Sequence, residues 1–165
     1  MKNTQNRIGI DIGRVIISPG DDSADTSFLR GSIQDALNTP PYPGAFETIT
    51  RLVKRYAGRV WLVSKAGPRT QEKTLLWLEH HRFYQFTGVG KQQVRFCRQR
   101  YEKANHCRDL HITHFVDDRI QVLKHLRGLV PNLYLFGEQK TGFIYPDWVV
   151  PALNWQDIQK EFHID

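Results

Sequence analysis

The chain has 165 residues, 40% of them apolar and 24% charged, which is long enough to bury a core without disulfide or metal staples and excludes a disordered or fibrous chain. No apolar run approaches a membrane span, and Met1 to Asn6 is too polar for a secretory leader, so a cytoplasmic protein with no membrane partner is expected. A formal net charge of +6 at pH 7 favours anionic partners, either phosphorylated substrates or nucleic acid.

The first structured stretch is Arg7 to Ile17, a β-branched run in which Asp11 ends a strand and Gly13 breaks it into a loop. In open α/β sheets, ligands bind outside the carboxyl ends of the strands, so an acid placed there faces a site. Ser18 to Pro43 follows, rich in Pro, Gly, Asp and Ser, with one amphipathic piece around Phe28 to Leu37. It reads as a flap or minimal cap inserted over the strand end. Pro43-Gly44 opens a helix from Ala45 to Tyr56, with Phe46, Ile49, Leu52 and Val53 at helical spacing. Val60 to Ser64 is a buried strand ending in a hydroxyl. Pro68 suits the first turn of a further helix that carries Leu75, Leu76 and Leu78 to the core.

Val94 to Cys97 reads as a short strand, Tyr101 to Asp109 as a helix, and Ile112 to Val116 as a strand that ends in Asp117-Asp118. A helix from Arg119 to Arg127 turns Ile120, Val122, Leu123 and Leu126 inward; Asp118 is placed to cap it. Leu133 to Gly137 and Trp148 to Val150 are further strands, and Asn154 caps a last helix from Trp155 to Phe162. Strands alternating with helices predict an α/β fold with a doubly wound parallel sheet, in a single domain. Trp148 and Trp155 read as exposed aromatics.

Cys97 and Cys107 have no zinc-site spacing and read as reduced thiols. The histidines of His106 to His114 read as surface residues around a helix end. The densest basic segment, Arg95, Arg98, Arg100, Lys103 and Arg108 with Phe96 and Tyr101 interleaved, is either a solvated helix face or a nucleic-acid surface. Adjacent carboxylates repel unless a cation lies between them, so Asp117-Asp118 near a third Asp points to a hard divalent ion, Mg²⁺ being the natural candidate. No Gly-x-x-x-x-Gly-Lys-Ser/Thr tract occurs, which excludes a P-loop enzyme.

In chain order the constellation is Asp11, Ser64, a lysine, then Asp117-Asp118. Through Ile10-Asp11-Ile12-Gly13-Arg14-Val15, Val63-Ser64 and Phe115-Val116-Asp117-Asp118-Arg119, the chain resembles the haloacid dehalogenase superfamily, from Ile8 to Phe136. Tyr42-Pro43-Gly44-Ala45 adds a likeness to its deoxyribonucleotidase branch. The resemblance implies a Rossmann-like sheet and a Mg²⁺-dependent phosphohydrolase acting on a phosphomonoester, such as a phosphorylated small molecule or nucleotide. Asp11 is then the nucleophile that forms an aspartyl-phosphate. Ser64 and a lysine bind the phosphoryl group, and Asp11, the Gly13 carbonyl, Asp117 and Asp118 hold Mg²⁺. The lysine is Lys103, near a helix start, or Lys91, in the Gly-rich loop Gly88 to Lys91.

The family usually carries a second Asp where this chain has Gly13, and that acid protonates the leaving group. Asp21 and Asp22 of the flap are other acids nearby in sequence. The substitution leaves two further readings: a pseudoenzyme that binds phosphate ligands without turning them over, or a basic nucleic-acid-binding protein with a structural acidic cluster.

Overall fold

The computed structural model describes residues 6–19 and 26–165; Asp21 and Asp22 lie outside the described residues. Six strands, β1 (Ile8–Ile10), β2 (Val60–Lys65), β3 (Val94–Cys97), β4 (His114–Asp117), β5 (Asn132–Phe136) and β6 (Val150–Ala152), form one sheet in the order β3-β2-β1-β4-β5-β6. All pairs are parallel. From β1 the chain moves outward to β2 and β3, then returns to the other side of β1 for β4, β5 and β6. The switch point of this α/β sheet therefore lies between β1 and β4, where a crevice opens at the strand ends.

The four inner strands are short runs of branched and aromatic side chains, buried on both faces as parallel sheets require. Alternation along β2 sends Val60 and Leu62 into one core and Trp61 and Val63 into the other. The first core packs under α3 (Ala45–Arg55), α4 (Pro68–His80), α5 (Phe83–Thr87) and α8 (Trp155–Glu161); the second packs under α6 (Lys103–Asp109) and α7 (Ile120–Leu126). At Gly9 an added Cβ would lie 2.5 Å from the Phe115 ring, so glycine lets the central strands seat that aromatic. Asn154 caps α8 as expected, accepting from the Asp157 amide at 2.9 Å. Pro151 falls within β6, where an edge strand tolerates its missing N–H.

The amphipathic piece expected from Phe28 to Leu37 is two helices, α1 (Thr26–Arg30) and α2 (Ile33–Asn38). Ser32 breaks them with a capping box: its hydroxyl accepts from the Asp35 amide at 3.1 Å and its own amide donates to the Asp35 carboxylate at 2.9 Å. The inward face of α4 also differs from the leucine pattern. Lys73, Thr74, Trp77 and Leu78 are buried, while Leu75 and Leu76 are 43% and 39% exposed. Two polar contacts set this rotation. The Trp77 indole N–H donates to the Thr39 carbonyl at 2.8 Å, and Lys73 Nζ donates to the carbonyls of Phe28, Leu29 and Gly31 at 3.0, 3.3 and 2.7 Å.

Trp155, expected at the surface, is fully buried, and its indole N–H donates to the Val15 carbonyl at 2.8 Å. His114 is half-buried, stacked on Tyr134 and tilted against Phe162. Both cysteines are free and buried, and burial raises the thiol pKa of each, that of Cys107 to about 12. Among the described residues no helix is long and apolar enough to cross a membrane.

Candidate active site

Register carries the acids to the crevice. Ile10 pairs with Val116, and the Asp11 amide donates to the Val116 carbonyl at 3.0 Å, so Asp11 and Asp117 leave the sheet side by side. After Asp11 the chain folds back tightly: the Ile12 carbonyl accepts from the amides of Val15, Ile16 and Ile17 at 3.3, 2.8 and 3.1 Å. Arg14 takes a left-handed φ of 63° to close this turn, a conformation costly for a non-glycine residue and concentrated at functional sites.

Lys103, the first residue of α6, reaches into this acidic pair. Its Nζ lies 2.9 Å from Asp11 Oδ1 and 2.8 Å from Asp117 Oδ2, and the residue is 2% exposed. Burial works against its charge, but the Asp11 and Asp117 carboxylates outweigh that and raise its pKa above the ordinary lysine value. Lys91 is elsewhere: it is exposed, paired with Glu79 and lies over the Tyr84 ring. Lys103 is therefore the lysine of the cluster, and it does not belong to the basic surface segment in which the sequence alone groups it.

Asp117 is fully buried, and its Oδ1 accepts from the Arg119 amide at 2.9 Å. Arg119, not Asp118, is the N-cap residue of α7. That leaves Asp118 without the capping role open to it in sequence, and its Oδ1 is buried with no hydrogen-bond partner among the described residues. Burial, with the Asp11 carboxylate adding to it, raises the pKa of Asp117 to about 6; burial with Asp11 and Asp117 raises that of Asp118 to about 8.

Oxygens of Asp11, Asp117 and Asp118 lie within 4.8 Å of one another. Lys103 offsets one of the three charges when all are ionised, which leaves an uncompensated negative cluster away from bulk water. Such charge is expensive unless a cation or a proton enters. Hard carboxylate donors, close spacing and the orphaned Asp118 oxygen all fit a divalent cation with oxygen preference. The histidines of His106 to His114 form no metal group among the described residues: His106 Nε2 lies 3.0 Å from the Phe96 carbonyl and His111 is exposed.

Asp11, Ser64 and Lys103 line one cleft of about 300 Å³. Ser64, 7% exposed, arrives there because Ile10 pairs with Leu62 and β2 runs past the end of β1. Gly13, Arg14, Lys65, Arg100 and Arg119 line the same cleft, and the flap contributes Phe28, Leu29 and Thr39. The sequence marks Arg14, Arg100 and Arg119 only as neighbours of the motifs or as part of the basic run. Lys65 and the flap residues are missed; the one available signal for Lys65 is its place directly after Ser64 at a strand end.

No protein-family model matches this sequence, and no curated protein matches it. Solved structures match its fold. A protein described as a haloacid dehalogenase-like hydrolase from Burkholderia xenovorans LB400 superimposes with a TM-score of 0.65 at 12% identity, over 94% of this chain and 96% of that one. D,D-heptose 1,7-bisphosphate phosphatase from Burkholderia thailandensis does so with a TM-score of 0.62 at 15% identity, over 97% and 99%. The chain thus has the haloacid dehalogenase-like, Rossmann-type α/β fold.

Proposed function

We propose that the protein is a Mg²⁺-dependent phosphohydrolase acting through an aspartyl-phosphate on Asp11. The observation that carries this reading is the cluster of buried Asp11, Lys103 and Asp117 with the half-buried Asp118 at the sheet's switch point, and Ser64 on the cleft that Asp11 and Lys103 line. The phosphatase of like fold is a further, weaker support.

A carboxylate approaching a phosphate dianion meets like-charge repulsion, so cations must accompany the reaction. Asp11, Asp117, Asp118 and the Gly13 carbonyl would hold Mg²⁺, which supplies charge neutralisation on the transferring phosphoryl oxygens. Lys103, held between Asp11 and Asp117, aligns the nucleophile and offers positive charge to the same oxygens. The Ser64 hydroxyl donates to one of them. Asp11 forms the new P–O bond as the ester P–O bond breaks and the leaving oxygen takes a proton from solvent; water then cleaves the aspartyl-phosphate, releasing phosphate and restoring the Asp11 carboxylate. Splitting one difficult displacement into two is the gain of covalent catalysis.

The test is hydrolysis of p-nitrophenyl phosphate, whose good leaving group needs little protonation. Turnover with Mg²⁺ is expected, lost with EDTA and lost in Asp11→Asn. Turnover that survives Asp11→Asn would remove the aspartyl-phosphate. Gly13 favours one second reading, a phosphate-binding pseudoenzyme. Its signature is Mg²⁺-dependent beryllofluoride binding without turnover.

A further inference from the structure

We infer that Lys65 and Arg100 form a second anion subsite in the cleft, so that the substrate carries at least one further phosphate beyond the group handled at Asp11. This rests on the phosphohydrolase reading only in placing the first phosphate at Asp11.

The argument starts from charge. Lys103 is the cation committed to the acidic cluster, where two carboxylates take it up. Lys65 and Arg100 line the same cleft and enter no ion pair among the described residues. Cations converging on a concave site without internal counter-ions are matched to an anion supplied from outside.

The fold places them together for a structural reason. Lys65 ends β2 directly after Ser64 and pairs in register with Cys97 of β3. Arg100 follows three residues later, in the single turn Arg100–Glu102 that leads into α6 and Lys103. Both therefore emerge from the carboxyl edge of β2 and β3, on the Ser64 side of the crevice. The start of α4 adds to that wall: Gly67 and Thr70 line the cleft, and Gly67 as N-cap offers no side chain to the free amides of the first turn. A volume of about 300 Å³ is at the low end for small-molecule sites and suits two phosphates on a small framework or the phosphorylated end of a chain.

Those two sources share one chemistry and differ outside the cleft. Arg95 and Arg98 are exposed on and just after β3, outside the cleft lining that includes Arg100. A phosphorylated polynucleotide end would use them; a small bisphosphate would not.

Calorimetry with Mg²⁺ in excess, comparing inorganic pyrophosphate with orthophosphate, reads the subsite directly. Pyrophosphate is expected to bind about 10-fold tighter, and Lys65→Glu with Arg100→Glu should erase the difference at unchanged melting temperature. Equal binding in the wild type, or a preference that survives the double variant, overturns the subsite. p-Nitrophenyl phosphate turnover measured alongside separates the two ideas. Hydrolysis without a pyrophosphate preference removes the subsite and keeps the hydrolase; a preference without hydrolysis keeps the subsite and removes the hydrolase. Binding of a 5′-phosphorylated oligonucleotide that falls in Arg95→Glu with Arg98→Glu identifies the polynucleotide source, and binding of pyrophosphate alone identifies the small one.

Discussion

Gly13 is a gap in the cleft wall that the backbone is ready to fill. A Cβ built there meets no heavy atom within 4 Å, and the residue is not among the left-handed glycines. Gly13→Asp should therefore fold normally and place a carboxyl on the cleft. If the missing leaving-group acid limits the rate, turnover of alkyl phosphates should rise by about 10²-fold or more, while p-nitrophenyl phosphate changes little. Equal effects on the two substrates would show that the new acid does not protonate the leaving group. His114 supports a second expectation. Burial lowers its pKa from 6.5 to about 4, so the neutral ring contributes stability above pH 6.5 that is lost as pH falls towards 4. Denaturant midpoints of His114→Phe, relative to wild type, should improve steadily across that window. A parallel pH dependence for the two proteins would place the acid sensitivity elsewhere. The grouping of the candidate residues was the most legible part of the sequence, because Asp11, Ser64 and Asp117 each lie at the end of a short apolar strand and strand ends face the crevice. Lys65 was not legible, since a lysine after a strand looks like any solvated charge until the register sets it beside β3.

At the level of elements, the flap is held to the body by Lys73. This lysine is 1% exposed, and the described residues give it three carbonyl acceptors and no carboxylate. Its Nζ gathers the end of α1 and so fixes Phe28 and Leu29 on the cleft wall. Lys73→Met keeps the apolar stem but leaves those carbonyls without their donor, at a cost of about 1–3 kcal/mol in urea unfolding. KM should rise with it, because the wall loosens. A variant as stable as wild type would show that water replaces the ammonium. The same contact explains why the orientation of α4 departs from the leucine pattern. Leucines at helical spacing normally mark the core, yet Lys73 and Trp77 claim the inward face through partners on a distant segment, and single-sequence periodicity carries no trace of those partners. The division of the flap into α1 and α2 has a smaller cause: the Ser32 and Asp35 capping box is legible in principle, but it lies inside what reads as one continuous amphipathic piece from Phe28 to Leu37.

Across the whole molecule, the net charge of +6 sits on a body whose cleft is proposed to take a phosphorylated substrate, and this predicts a salt effect on encounter rather than on chemistry. Raising the salt from about 0.01 M to about 0.5 M shortens the Debye length several-fold, so kcat/KM for a phosphorylated substrate should fall while kcat holds. A fall in kcat instead would place the salt effect inside the acidic cluster. Alternating strands and helices made the parallel sheet readable, because each strand is an apolar run bounded by turn residues. The switch point was readable only through its acids. The tie between the Trp155 indole and the Val15 carbonyl spans 140 positions, and that between Lys103 and Asp11 spans 92. A nascent chain that has not yet reached Trp155 therefore has both Asp11 and the lysine paired with it, yet the turn after Asp11 lacks the indole donor to its Val15 carbonyl. If Asp11 is the nucleophile proposed above, full turnover is expected only once synthesis passes α8, and activity would then itself report on completed folding.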